Sequence, residues 1–518
     1  MQRIAYLAFA GPHHIRAIDL LIVVLYLAGI TLFGLHFRSK GDCLRSYFLA
    51  ERTIPWWAIS LSIVAAETST LTIISIPGLA FTGDFGFLQL VMGYLVARVV
   101  LCLLFLPAYF HGELLTAYQL IDRRFGPRLH KVTATVFLLT RAAAEGVRLF
   151  AISILIGIAI GTGDITSIVI ITALTLLYTI KGGMTAVIWT DVIQMFIYIG
   201  GSIAALWALG HQVPGGWSVI HQVGRAAGKF TVFHFVVNLT TTYTFWTGLI
   251  GGCFLVMASH GTDQLMVQRL LAAKDLRESR LALLSSWVIV ALQFLLFLCV
   301  GAGLYVYYTR VAPGTKFSSP DRIFPAFIVD HMPAGVSGVI IAAVLAAAMS
   351  NLSASLNSLS STTVVDFYMK LRPQAAARER SSISHISTFF WAVVLCGVAF
   401  VSRGSKHVVE VGLSIASVAY GSMLGVFLLG AITRRANEAG TIVGMIVGLG
   451  VNIFLWRQSA PIAFQVAGFH GVLPRIAWTW YVVIGTAITF SFGYLFSLLL
   501  SRTRWGQHRP PSEQEVLT

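Results

Sequence analysis

The chain has 518 residues, 57% of them apolar and only 11% charged, with a mean hydropathy of +0.80, a composition that excludes a soluble globular fold. Its formal net charge is +15, but the basic residues gather in alternate loops, so the excess marks membrane topology and excludes a nucleic-acid partner. What remains is an all-α, polytopic membrane protein surrounded by lipid.

Apolar length and loop punctuation predict about thirteen transmembrane helices. Met1 to Arg16 carries a short apolar patch without a small-residue cleavage site, so no removable signal peptide is expected. The first span runs from Leu20 to Phe37, followed by an interrupted one at Trp56 to Phe81. Then come Phe87 to Tyr109, Val132 to Ile160, Ile165 to Ile180 and Ala186 to Leu209. After a loop with room for a short surface helix, the spans are Tyr243 to Met266, Leu281 to Tyr308, Ser337 to Asp366, Ser387 to Val401 and Val411 to Leu429. Gly440 to Trp456 and Ile476 to Leu500 end the series.

Basic clusters such as Arg123, Arg124, Arg128 and Lys131, or Arg269, Lys274, Arg277 and Arg280, recur in every second loop. The positive-inside rule places these loops in the cytoplasm of a cell-membrane protein, with the N-terminus outside and the C-terminus inside. The ten spans from Trp56 onward then fall into five followed by five of opposite orientation, the arithmetic of an inverted repeat. Residues 1–55 form an N-terminal extra helix and cytoplasmic loop, and 56–209 a first core repeat. Residues 210–242 make an outside loop, 243–431 the second repeat, 432–503 two extra helices and 504–518 a cytoplasmic tail.

Two stretches carry chemistry. In Trp56 to Phe81 the polar run Glu67-Thr68-Ser69-Thr70-Leu71-Thr72 and then Pro77-Gly78 interrupt the apolar pattern. A helix break is expected there, and unwound backbone survives at membrane depth only where it lines a cavity or site. In Ile340 to Asp366 the small and hydroxylated residues Ala343, Ala347, Ser350, Asn351, Ala354 and Ser358 recur every three or four positions and share one helix face. That face suits either a tight helix contact or an ion. A broken helix opposite a hydroxyl-bearing one can form an oxygen cage for sodium.

Charged residues inside the membrane narrow the function further, since each costs about 2.5 to 3.5 kcal/mol on insertion scales. Arg141, Glu145 and Arg148 form one stripe on the span from Val132. It reads either as an ion-pair ladder or as Glu145 neutralising one arginine while the other, Arg148 before Arg141, meets a substrate carboxylate. Glu67, in the interrupted span, either pairs with an arginine or carries a coupling proton. His260 and Asp263 lie three apart but lack further metal ligands. No nucleophile-base or metal constellation of an enzyme is present.

Several motifs carry a resemblance. Gly182-Gly183-Met184-Thr185-Ala186-Val187-Ile188-Trp189-Thr190-Asp191-Val192-Ile193-Gln194 resembles the GG-x-x-AV-x-x-TD-x-x-Q signature of the sodium/solute symporter family. Gln264 to Lys274 (QLMVQRLLAAK), Ile54-Pro55-Trp56-Trp57, Leu356-Asn357-Ser358 and Asp366-Phe367-Tyr368 are similar to that family as well, and together the likeness covers Arg52 to Gly448. It implies a leucine-transporter-like five-plus-five inverted repeat and a sodium-coupled symporter of a small organic solute. It implies Na+ as coupling ion, held by backbone carbonyls at Ala65, Thr68 and Ala347 and by side-chain oxygens at Ser350 and Asn351. Asn351 departs from the family, which uses Ser or Thr there. Asp191 matches the acidic residue that the family places on the inward sodium route, although a helix-start carboxylate is an equally good reading.

The family's sugar-transporting members carry polar residues where this chain has Val256-Met257-Ala258-Ser259 and Gln89-Leu90-Val91-Met92, which disfavours a sugar-like site. Gly146 to Ala151 and Gly421 to Phe427 look more like the monocarboxylate, multivitamin and iodide branch, so an organic anion is expected. Arg148, Arg141, Glu145, Thr72 and Ser259 are the candidate solute contacts, with Glu67 and Asp191 on the ion pathway. A sugar or polyol symporter, a proton-coupled carrier using Glu67 and a non-transporting solute sensor are the rival readings. Neither the solute's identity nor the oligomeric state is written in these motifs.

Overall fold

A computed structural model describes residues 16–37, 44–111, 114–160, 163–317, 319–402, 408–458, 460–466 and 469–500. Helix α1 (Ala17–His36) and the short α2 (Leu44–Leu49) lead to the interrupted segment, α3 (Trp56–Glu67) and α4 (Thr70–Thr82). There follow α5 (Leu88–Phe110), the short α6 (Tyr118–Phe125), α7 (Pro127–Ile160), α8 (Asp164–Gln212) and α9 (Gly216–Ala226). A π-helical turn over Thr247–Gly251 opens α10 (Gly252–Gly261), which is succeeded by α11 (Gln264–Leu271), α12 (Leu276–Arg310) and α13 (Ile323–His331). The remaining helices are α14 (Val336–Thr362), α15 (Ala377–Val401), α16 (Val408–Ile432), α17 (Glu438–Arg457) and α18 (Tyr481–Leu500).

Among the described residues eight helices are long and apolar enough to cross a membrane, and the bent pair α3–α4 makes a ninth span. Of the other expected segments, Tyr243 to Met266 and Val411 to Leu429 fall on the shorter apolar stretches Thr247–Gly261 and Ala416–Ile432, Ile165 to Ile180 and Ala186 to Leu209 share α8, and Val132 to Ile160 lies within α7. Gly183 divides α8 by leaving the helical region at φ 52° and ψ −142°, and a Cβ there would lie 2.4 Å from the Tyr47 carbonyl oxygen. Only glycine takes that conformation at that closeness, so the two spans read from the sequence meet at this residue.

Three features differ from the sequence reading. Pro77 does not interrupt its span: the break falls only at Thr68–Ser69, inside the polar run Glu67 to Thr72 where one is expected, and Pro77 lies inside α4. The segment Tyr243 to Met266, read as one span, is instead two pieces, because Thr262 and Asp263 leave helical geometry and Asp263 caps α11 by accepting from the Leu265 amide. The fold is also not purely helical. A hairpin pairs β1 (Ile462–Val466) antiparallel with β2 (Phe469–Leu473), with Ala463 opposite Val472.

The core is organised around α14, in whose most apolar stretch 89% of residues are buried, against 33% in α1 and α18. It packs against α8, α1, α7 and α15 and also touches α3, α4 and α11. Small residues permit this closeness: a Cβ on Gly201 of α8 would meet the Ala343 Cβ at 2.7 Å. The buried Asp19 of α1 caps α14, accepting from the amides of Gly335 at 2.7 Å and Gly338 at 2.9 Å. It thereby satisfies donors that a helix start leaves free. At the end of α4 away from the break, Lys229 donates to the carbonyls of Phe81 at 2.7 Å and Gly83 at 2.8 Å. Close by, His234 pairs with Asp84 at 2.7 Å.

Candidate ion and solute site

The interruption between α3 and α4 bends the segment by 65°. Thr68 turns the chain out of α3 at φ −88° and ψ 102°, and Ser69 restarts it through a capping box with Thr72. In that box the Thr72 amide donates to Ser69 Oγ and the Ser69 amide to Thr72 Oγ1, each at 3.2 Å. The last carbonyls of α3, Ala65 among them, thereby lose the amides that a continued helix would have offered.

The carbonyl of Thr68, just past the end of α3, meets α14. Asn351 Nδ2 donates to the Thr68 carbonyl at 2.9 Å and to the Ala347 carbonyl at 3.1 Å. One residue earlier, Ser350 Oγ donates to Asp191 Oδ1 at 2.6 Å. Asp191 Oδ2 accepts from Ser62 Oγ at 2.5 Å and from Arg269 Nη2 at 2.8 Å, while Arg269 Nε also reaches Ser62 Oγ at 2.8 Å. On the other side Gln293 Nε2 donates to Thr68 Oγ1 at 2.6 Å, and Tyr198 holds the Gln293 oxygen at 3.1 Å. All of these side chains are buried, and Ala65 with them.

Thr68, Ala347, Ser350 and Asn351 are thus brought together, with Asp191 directly behind Ser350. The donor set is oxygen-rich and suits a hard cation: two carbonyl oxygens converge, and Ser350, having given its hydrogen to Asp191, keeps its lone pairs. Asn351 presents its NH2 group to the carbonyls, so its oxygen reaches the same point only after the amide turns. Ser62, Arg269, Gln293 and Tyr198 were not foreseen. Arg269, assigned from the sequence to a cytoplasmic basic loop, is instead buried within α11 and paired with Asp191.

Glu67 stands at the break and accepts from Arg98 Nη2 at 2.6 Å, while His260 Nε2 lies 3.5 Å from the same oxygen. His260 Nδ1 is 2.9 Å from Ser259 Oγ, so Glu67 and Ser259 belong to one cluster. Arg98 is wholly buried and also donates to Ser286 Oγ at 3.2 Å. A lone arginine in the apolar span Phe87 to Tyr109 should have marked it.

The arginine stripe is resolved differently from expectation. Arg141 pairs with Asp263 at the α10–α11 break, and Tyr420 OH donates to the same carboxylate at 2.8 Å. Asp263 therefore neutralises Arg141, and no group of three metal-ligating side chains occurs among the described residues. Glu145 is left to Arg148, at 3.4 Å, and the buried Nε of Arg148 has no hydrogen-bond partner. Of the two arginines Arg148 is the one with hydrogen-bonding capacity to spare. Thr72 is occupied by its capping box.

A helical membrane protein with a broken span against a buried, oxygen-bearing helix is an ion-coupled secondary transporter in its architecture. The chain belongs to the sodium:solute symporter family, whose model matches residues 47–448. A sodium/sialic acid symporter of Proteus mirabilis (strain HI4320) is 29% identical over 493 residues, covering 92% of this chain and 95% of that protein. The human sodium/iodide cotransporter is 26% identical over 441 residues, covering 84% and 68%. Among solved structures, the substrate-bound outward-open state of a Na+-coupled sialic acid symporter superposes with a TM-score of 0.83 at 26% identity, covering 94% of this chain and 98% of that one. The protein is a multi-pass membrane transporter that couples solute import to Na+, and it is not an enzyme.

Proposed function

We propose that sodium is held by the carbonyls of Ala65, Thr68 and Ala347 with Ser350 and Asn351, and that the co-transported solute is a small organic anion contacted by Arg148. The observation that carries the ion site is the meeting of Thr68 and Ala347 oxygens on one atom of Asn351, beside Ser350 and Asp191. Asp191 lies on the ion's way inward. For the solute, the unpartnered Nε of Arg148 supports recognition of a carboxylate, with Arg141, Glu145, Thr72 and Ser259 as the further proposed contacts and Glu67 on the ion pathway. The names of relatives lean the same way, since sialic acid and iodide are both anions at neutral pH.

The alternating-access reading takes thirteen spans, a five-plus-five inverted repeat, an outside N-terminus and a cytoplasmic C-terminus. Its support is that the first helix of each proposed half is interrupted, at Thr68–Ser69 and at Thr262–Asp263. Sodium bridging α3 and α14 favours one arrangement of the two halves, the solute binds to that arrangement, and both leave after the halves rock.

Uptake into proteoliposomes over a panel of labelled organic acids and sugars tests the reading. Ser350→Ala should raise the sodium concentration for half-maximal uptake at least tenfold, and Arg148→Gln should abolish acid uptake while the melting temperature is kept. An unchanged sodium requirement in the first variant, or unchanged acid uptake in the second, overturns the corresponding assignment.

A further inference from the structure

We infer that the Asn351 side chain is a two-position amide: its NH2 group bridges two carbonyls, and it turns to present its oxygen when sodium arrives. The inference deepens the proposed sodium site and rests on it.

Carbonyl oxygens accept hydrogen bonds and cannot donate, so two that converge in a buried place repel unless a donor or a cation lies between them. Here Asn351 Nδ2 lies 2.9 Å from the Thr68 oxygen and 3.1 Å from the Ala347 oxygen. Both amide hydrogens are used, one on each carbonyl, and Oδ1 is turned away. Asn351 is only 3% exposed, so bulk water does not take over the role. A hydroxyl at this position has one hydrogen and cannot serve both oxygens; an amide can.

Sodium needs oxygens, not amide hydrogens, facing the space beside these carbonyls. A half-turn of the amide exchanges Nδ2 for Oδ1, so the ion can lie among Oδ1 and the two carbonyl oxygens without backbone movement. Ser350 needs no such change, because its hydrogen is already on Asp191 Oδ1 at 2.6 Å. Two consequences follow. Sodium binding must break two hydrogen bonds, which weakens apparent affinity by about thirtyfold for bonds of ordinary strength. The ion-free protein, in turn, keeps the broken span tied to α14 by those bonds.

The test is thermal unfolding of the purified full chain in nanodiscs, titrating sodium against choline, for wild type, Asn351→Ser, Asn351→Thr and Ser350→Ala. Asn351→Ser and Asn351→Thr leave one hydroxyl hydrogen for the two carbonyls and add no charge. Both should melt lower than wild type in choline and reach half-maximal stabilisation at about fivefold less sodium, as the loss of one competing hydrogen bond requires. Should both variants need as much sodium as wild type or more, while Ser350→Ala weakens the response, the two-position amide is overturned and the sodium site stands. If sodium stabilises none of the four proteins, the sodium site itself is overturned and this inference with it.

Discussion

At the scale of single residues, the network behind Ser350 concentrates opposite charges in a place without water. Arg269 and Asp191 are both buried and 2.8 Å apart, with Ser62 bonded to each. Removing one partner leaves an uncompensated buried charge at a cost of about 3–5 kcal/mol, whereas replacing both by apolar groups of similar volume is often neutral. Arg269→Met alone should therefore lower the melting temperature sharply. The double variant with Asp191→Leu should recover most of that loss yet respond poorly to sodium, because Ser350 has lost its acceptor; a double-mutant melting cycle with and without sodium reads both effects. The sequence motif made Asp191 legible. It did not reveal its partner, since Arg269 is remote in sequence and pairing across spans follows from packing. The same holds for Arg141: Glu145 is its neighbour at helical spacing, but Asp263 at a break on another segment takes the charge.

At the scale of elements, apolar length located most spans because the bilayer demands it of any helix that crosses. Breaks were harder to place. Pro77 looked like an interruption, yet its missing donor is tolerated inside α4, and the actual break lies where Ser69 and Thr72 satisfy the restarting amides. The second interruption, at Thr262–Asp263, had a signal in an aspartate standing before Gln264, a helix-starting residue between two apolar runs. The division of α8 depends on one glycine with positive φ and no room for a side chain. Gly183→Ala should destabilise by more than about 1 kcal/mol through backbone strain alone, with the Tyr47 contact adding to it. Chemical or thermal melting checks this, and Gly29→Ala, where an added Cβ meets nothing within 4 Å, is the matched control.

At the scale of the molecule, burial falls from α14 toward the peripheral helices α1 and α18, so the proposed ion site sits on the most buried helix. The small-residue face of α14 packs closely on its neighbours, as Ala343 does against Gly201, and the same helix carries Ser350 and Asn351 of the proposed site. The far end of α4 is pinned by Lys229 and by the Asp84–His234 pair, so the loop and this half-helix should move as one body. Spin labels at Thr82 and Phe233 should keep a constant separation as sodium is titrated, while the distance from either to a label on α15 changes. A separation that varies with sodium would show that the loop moves on its own. If the clasp holds, a short stretch outside the bilayer-crossing region becomes a handle on the carrier's cycle. An antibody fragment or macrocycle gripping the loop around His234 would then arrest turnover from a distance, without competing for either cargo.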